Sequence, residues 1–302
     1  MARKDPLDIH QYVTDRVIAA IEANPGEFRM PWQRVGIANT LPRNAITKQA
    51  YQGVNCITLW IASELGQLAP VYATYRQWHS IGAQVRKGEK GNLVVFYKEY
   101  SVQPNAEDTD DDGRRRVARA SWVFSGSQVD GYTPPTPEPV KEMEPLQRHE
   151  AVERFMAATG ADIRIGGDKA FYLPSLDYIA LPDPHYFQQD DAAERTFHFE
   201  STLLHEAIHW SGAKHRLARD LTGRFKSDAY AMEELCAEIG AAFLCAELGL
   251  TAEPRMDHAQ YLAHWLKVLK ADKKAIFTAA AKASEAARYL ASFSRKEQDD
   301  AA

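Results

Sequence analysis

His205 and His209 stand four residues apart, with Glu206 beside the first, in the run Leu203-Leu204-His205-Glu206-Ala207-Ile208-His209-Trp210-Ser211-Gly212. On a helix, residues four apart lie one above the other. The two imidazoles can therefore aim at one point, as a divalent cation with nitrogen ligands requires. Glu206 falls where a carboxylate can take a proton from a water at that cation. This is the H-E-x-x-H pattern of zinc peptidases. Leu203, Leu204, Ala207 and Ile208 supply the apolar face of a buried helix, and Gly212 can take the left-handed conformation that ends it.

A catalytic zinc site takes three protein ligands, and the chain offers two sources for the third. His215 completes the longer pattern His205-Glu206-x-x-His209-x-x-Gly212-x-x-His215. Alternatively, a carboxylate comes from the helix beginning near Tyr230. There Leu235, Ile239, Ala242, Phe243 and Ala246 form an apolar stripe, and Glu234 and Glu238 are i, i+4 neighbours beside it. One of that pair would bind metal while the other orients a histidine. Glu233 points elsewhere and is expected to face solvent. Tyr230, one turn before Glu234, is a candidate oxyanion stabiliser. Zinc is the expected ion, and manganese suits the same nitrogen and oxygen donors.

These residues need a scaffold, and the chain's charge divides it in two. Residues 28–98 carry nine Lys and Arg against two acids, a net of +7, whereas residues 131–302 carry 20 basic against 27 acidic side chains, a net of −7. Five prolines between Gly131 and Pro145 mark a linker. The domains expected are residues 1–130, a linker over 131–145, and residues 146–302. In the first, periodicity predicts helices over 7–23, 56–65 and 75–80, a strand and then a glycine-flanked basic turn within 82–91, and a hairpin of 92–100 with 117–124 whose polar tip, 103–116, is flexible. In the second, it predicts a helix over 147–159, strands near 162–165, 170–173 and 177–180, the metal helix, the carboxylate helix, and a helical stretch from Asp257 to Ser294. The strand at 177–181 is a candidate edge for an extended peptide.

In the basic half, aromatic side chains alternate with cations. Aromatic faces stack on unpaired bases and cations neutralise phosphates, a mixture that points to single strands. Trp60 and Phe96 fall on apolar periodic positions and are expected in the core. Arg43, Lys48, Tyr51, Arg86, Lys87 and Lys90 are the expected DNA contacts. Cys56, Cys236 and Cys245 form no C-x-x-C and read as buried free thiols, consistent with a reducing cytoplasm. No apolar run follows the N-terminal residues. The longest apolar stretch, Leu235 to Leu250, is interrupted by Glu238 and Glu247 and is too short to span a bilayer. A soluble, cytoplasmic protein with no membrane partner is expected.

Taken together, these residues resemble the ArdC family of plasmid antirestriction proteins, whose N-terminal module is shared with TraC-type plasmid primases. In the first half the likeness rests on Pro31-Trp32, Pro42-Arg43-Asn44, Tyr51-Gln52-Gly53-Val54-Asn55, the run Gly82-Ala83-x-Val85-Arg86-Lys87-Gly88-Glu89-Lys90-Gly91, and Val123-Phe124. In the second it rests on Asp177-x-Ile179-x-Leu181-Pro182, on His205-Glu206-x-x-His209-Trp210-Ser211-Gly212 continuing to Arg216-Leu217-x-Arg219, and on Tyr230-Ala231-x-Glu233-Glu234-Leu235-x-Ala237-Glu238. The resemblance implies an α+β protein, a small mixed single-stranded DNA-binding domain followed by a zincin-like metallopeptidase domain, that protects incoming plasmid DNA from host restriction. In that family the Glu-rich helix is regular and the position of His215 is usually not His. By analogy with related zincins, Glu234 is then the third ligand, with Glu238 beside it as the orienting group. A DNA-dependent protease of DNA-bound proteins, and a DNA-shielding protein with a non-catalytic metal, are the rival readings.

Overall fold

Val13, Val17 and Ile21 recur one turn apart, and these are the positions that the first helix, α1 (Ile9–Glu22), buries. The structure, a computed structural model, describes residues 7–22, 41–66, 68–101, 114–134, 145–187, 192–220, 227–250 and 259–300. Of the expected flexible tip over 103–116, residues 103–113 lie outside these residues, while residues 114–116 pair with Glu99–Ser101 as strand, a correction to that part of the expectation. Residues 135–144 of the proline-rich segment also lie outside the described residues.

The first half continues with β1 (Arg43–Asn44), α2 (Val54–Gly66), β2 (Val71–Thr74), α3 (Tyr75–Ser80), β3 (Gln84–Val85), β4 (Asn92–Ser101), β5 (Arg114–Ser125) and β6 (Val129–Asp130). One sheet has the order β1-β2-β5-β4, and β3 pairs with β6 in a separate two-stranded ribbon. Helix α3 starts where Thr74 and Gln77 cap each other's backbone in a capping box. Strand β4 pairs with β5 along its full length, from Asn92 opposite Val123 to Ser101 opposite Arg114. Strand β2 meets β5 only at Val123–Ser125. Among the described residues, the β4–β5 ribbon therefore has no third strand beside it from Leu93 and Trp122 outward. Phe96 is 51% exposed there, a correction to its expected place in the core. Trp60, on α2, is fully buried.

The second half contains α4 (Pro145–Thr159), β7 (Asp162–Ile165), β8 (Phe171–Leu173), β9 (Tyr178–Leu181), α5 (Ala192–Ser211), α6 (Asp228–Glu247), α7 (Ala259–Ala271) and α8 (Ala275–Asp300). The helical stretch after Asp257 is two helices. The carboxylate of Asp272 accepts from the Lys274 backbone N–H at 2.8 Å, capping the new start. The sheet order is β7-β9-β8, with β9 parallel to β7 and antiparallel to β8. Strand β9 is thus central. The expectation that residues 177–181 form a free edge is corrected, since β7 pairs with Tyr178–Leu181 on one side and β8 with Tyr178–Ala180 on the other.

Helix α5 packs between this sheet and α6. The two helices approach closely at Gly240, where an added Cβ would stand 2.7 Å from the Ile208 Cδ1 atom. One apolar cluster runs through both halves of the chain. It joins Val17, Trp60 and Val95 to Leu204, Phe243 and Ile276. The rings of Trp60 and Phe243 lie 5.6 Å apart, and the Gly53 N–H donates to the Ser284 hydroxyl at 2.9 Å. All three cysteines are buried. Among the described residues no helix is long and apolar enough to cross a membrane.

Candidate metal centre

Helix α5 ends one residue after Trp210, where the Gly212 N–H turns back to the His209 carbonyl at 2.8 Å. His205 and His209 share one face of its last two turns, and their Nε2 atoms are 3.2 Å apart. Glu234, on α6, reaches in from the neighbouring helix. Its carboxylate oxygens lie 3.5 Å from His205 Nε2 and 3.5 Å from His209 Nε2. These three side chains are the group in which one ligand atom from each lies within 4.8 Å of the others. Ligands bonded to tetrahedral zinc at about 2.0 Å stand about 3.3 Å apart. The spacings match that cage, and two imidazole lone pairs facing each other need a cation or a proton between them. A divalent ion fits the residues present.

Each ligand has a supporting carboxylate or hydroxyl behind it. Glu238 Oε2 is 3.5 Å from His205 Nδ1. Tyr230 hydrogen-bonds the Glu234 carboxylate. Glu233 Oε1 lies 3.2 Å from His209 Nδ1 and is only 10% exposed. The expectation that Glu233 faces solvent is therefore corrected. Arg219, buried, donates to Glu233 through Nη2 at 2.9 Å and through Nε at 3.2 Å. It also donates to the Ser211 hydroxyl at 2.9 Å and to the Ile208 carbonyl. The residues after α5 thus fold back and lock its final turn to α6.

Electrostatics follow from this packing. Burial pulls the His205 imidazole down, but Glu234, Glu238 and Glu206 around it push it up further, to about 10. Burial lifts Glu234, yet His205, His209 and the Tyr230 hydroxyl bring it down to about 2. Glu233 is likewise held below the usual carboxylate range by His209 and Arg219, against its burial. The pocket attracts positive charge. Glu206, 7% exposed, is close enough for its charge to act on His205. Cys236 is raised to about 12, chiefly by burial, so it is an inert thiol.

His215 does not join the cluster. It is an exposed side chain 3.3 Å from Asp177 Oδ2 and 2.7 Å from the Arg216 guanidinium. Arg216 stacks 3.7 Å above the Trp210 ring and binds both Asp177 and Tyr172. That network pins the end of α5 to the β8–β9 turn. An apolar cavity of about 780 Å³ touches Thr196, Phe199, Glu200 and Leu203. Those positions form the stripe of α5 turned away from the two imidazoles, so this cavity is separate from the ligands.

The expected DNA contacts fall in two places. Lys48 is exposed near β1, as is Arg43, and Tyr51 is half-buried beside them, its hydroxyl accepting from Asn44 at 3.3 Å. Arg86, Lys87 and Lys90 sit in the exposed turn after β3. Arg86 is already paired with Glu89 at 2.8 Å and lies 3.8 Å from Asp130. Phe96, Tyr97, Tyr100 and Trp122 are exposed aromatics on the β4–β5 ribbon; their strand positions carry no mark that distinguishes them from core.

Residues 7–124 match the family model for the N-terminal domain of anti-restriction factor ArdC, and residues 150–282 match the model of a zincin-like metallopeptidase. The crystal structure of the antirestriction protein ArdC from plasmid R388, metal-free, superposes with a TM-score of 0.77 at 34% identity, covering 96% of this chain and 99% of that one. The chain belongs to the ArdC family. The Mn(II)-bound structure of the R388 ArdC matches with a TM-score of 0.75 at 35% identity, over 95% of this chain and 98% of that one. A Sinorhizobium fredii protein, y4eC, is 47% identical over 291 residues, 94% of this chain and 92% of its own. A DNA primase TraC of Escherichia coli is 35% identical over 313 residues, 98% of this chain but 20% of the primase. The ArdC-like part of the primase therefore includes both halves, and is not limited to the N-terminal module.

Proposed function

We propose that this ArdC-family chain binds single-stranded DNA without strong sequence preference, shields incoming plasmid DNA from host restriction, and carries a divalent-metal-dependent peptidase centre. The observation that carries the peptidase reading is the convergence of His205, His209 and Glu234 at cage spacing, with the Glu206 carboxylate beside them. Support for an ion of this kind comes from the zincin-like match and from the Mn(II) complex of the R388 relative. Zinc is the first candidate for that donor set, manganese the second.

A divalent ion held there supplies a Lewis acid that lowers the pKa of water to about 7. Glu206 takes the proton from the attacking water and returns it to the leaving amine. Glu233 and Glu238 orient the two imidazoles, and Arg219 fixes Glu233. Tyr230, in contact with Glu234, is the candidate to stabilise the developing oxyanion. For the DNA reading, support comes from the family match of residues 7–124 and from the exposed cations and aromatics of the first half.

The deciding experiment measures metal content and proteolysis together in Glu206→Gln. Retained metal with peptide hydrolysis lost is expected, and full-rate cleavage would remove Glu206 as the base. Running the assay on free and DNA-bound proteins, with and without a single strand, distinguishes a DNA-dependent protease. Conjugation into a restricting host tests whether Glu206→Gln still protects the plasmid, as a pure shield would.

A further inference from the structure

A cleft of about 230 Å³ opens where the two halves of the chain meet. Arg43 and Tyr51 line it from the first half, and Ser284, Arg288 and Arg295 of α8 line it from the second, with Glu247 at its side. Three guanidiniums against one carboxylate leave it net positive. Arg43 donates to the Lys48 carbonyl at 3.2 Å, and Arg288 to the Gln52 side-chain oxygen at 3.0 Å. Among the described residues none of the three arginines is in an ion pair. Like charges gathered this way repel, and an anion with several oxygens relieves them. Arg forks suit phosphate in particular.

The shape narrows the choice of anion. Arg288 and Arg295 lie on one face of α8, separated by about 10 Å of helical rise. A row of cations two helical turns long suits successive phosphates of an extended strand. The cleft is smaller than the roughly 300–1,000 Å³ of pockets that enclose whole ligands, so it suits one piece of a longer chain. Tyr51 offers a ring at the same place, and aromatic faces bind unpaired bases.

We propose that this cleft is a strand-binding groove built by both halves: Arg43, Arg288 and Arg295 take phosphates of single-stranded DNA, and Tyr51 stacks on a base. The assignment rests on the reading that the chain binds single-stranded DNA, and it adds the peptidase half to the binding surface. The test is fluorescence anisotropy of a labelled oligothymidylate against the full chain at several NaCl concentrations. Arg288→Ala/Arg295→Ala should lower the log–log salt slope by about 1.4 and the affinity roughly 25-fold at 0.1 M salt, since each single-strand phosphate contact contributes about 0.7 to the slope. Arg288→Lys/Arg295→Lys should keep the slope. Tyr51→Leu should lose roughly fivefold or more in affinity at unchanged slope. Unaltered circular dichroism melts show that each variant is folded. If the wild type binds and the double alanine variant matches it in affinity and slope, the groove is refuted while DNA binding stands. If the wild type itself does not bind the strand, the DNA reading fails and the groove with it. Competition by inorganic phosphate as effective as by oligothymidylate would make the cleft a compact-anion pocket and overturn the strand assignment.

Discussion

At Glu233 the neutralising partner is Arg219, and the pair holds the His209 ring. Both side chains are almost fully removed from water, so each needs the other: leaving one buried charge alone costs about 3–5 kcal/mol. Arg219→Leu should therefore lower stability by roughly that amount in urea unfolding. Glu233→Gln keeps the volume and a hydrogen-bond acceptor but loses the charge. It should weaken metal affinity about 10- to 100-fold, the usual effect of removing such a support, which a chelator titration would reveal. A second residue-scale effect lies at Asp177. Hydrogen bonding from Arg216 holds its carboxyl below the usual carboxylate range, against a smaller rise from burial. A depressed pKa stabilises the fold above the unfolded value and loses that contribution as pH falls through the folded value. Melting temperature should thus drop below about pH 4, and Asp177→Asn should flatten that acid limb. The His205–Glu206–His209 cluster is legible in the chain because its spacing is local. The role of Glu233 is not, because its partner Arg219 arrives from a different segment. A buried Arg ten residues past the second His was the available signal, since such a charge must find a carboxylate.

At the scale of elements, the metal site depends on how closely α5 and α6 approach, and Gly240 sets that distance. A methyl group there would meet Ile208, whose branched side chain is stiff in a helix. Overpacking costs about 1–3 kcal/mol, against about 1 kcal/mol regained from helix propensity. Gly240→Ala should hence change the melting temperature modestly while weakening metal binding clearly, because Glu234 moves away from both imidazoles. A parallel contrast exists in the first half. Phe96→Ala should alter stability by no more than about 0.5 kcal/mol, as an exposed position does, whereas Trp60→Ala should cost about 3–5 kcal/mol; chemical denaturation checks both. Element positions were readable from period, turn residues and caps. The exposure of Phe96 was not, because alternation along a strand says which side chains share a face and is silent on whether anything covers it. The central place of β9 was hidden for a related reason: strand order is a property of topology, which short apolar runs do not encode.

Across the whole molecule, one apolar cluster passes through both family-matched parts. Unfolding should then be a single transition, with tryptophan fluorescence, far-ultraviolet circular dichroism and metal release sharing one midpoint. Two separated midpoints would show that the halves fold independently. The charge division and proline-rich stretch led to the expectation of two regions, residues 1–130 and 146–302. Their common core was not legible, because the pairing of Trp60 with Phe243 joins residues far apart in sequence. That contact also constrains descent. A recombination event that severed the chain between its halves would leave Trp60 on one product and Phe243 on the other, each an uncovered greasy surface prone to clumping. Selection should therefore transmit both halves as one cassette, and the match to a DNA primase TraC, which spans 98% of this chain within 20% of the primase, covers both.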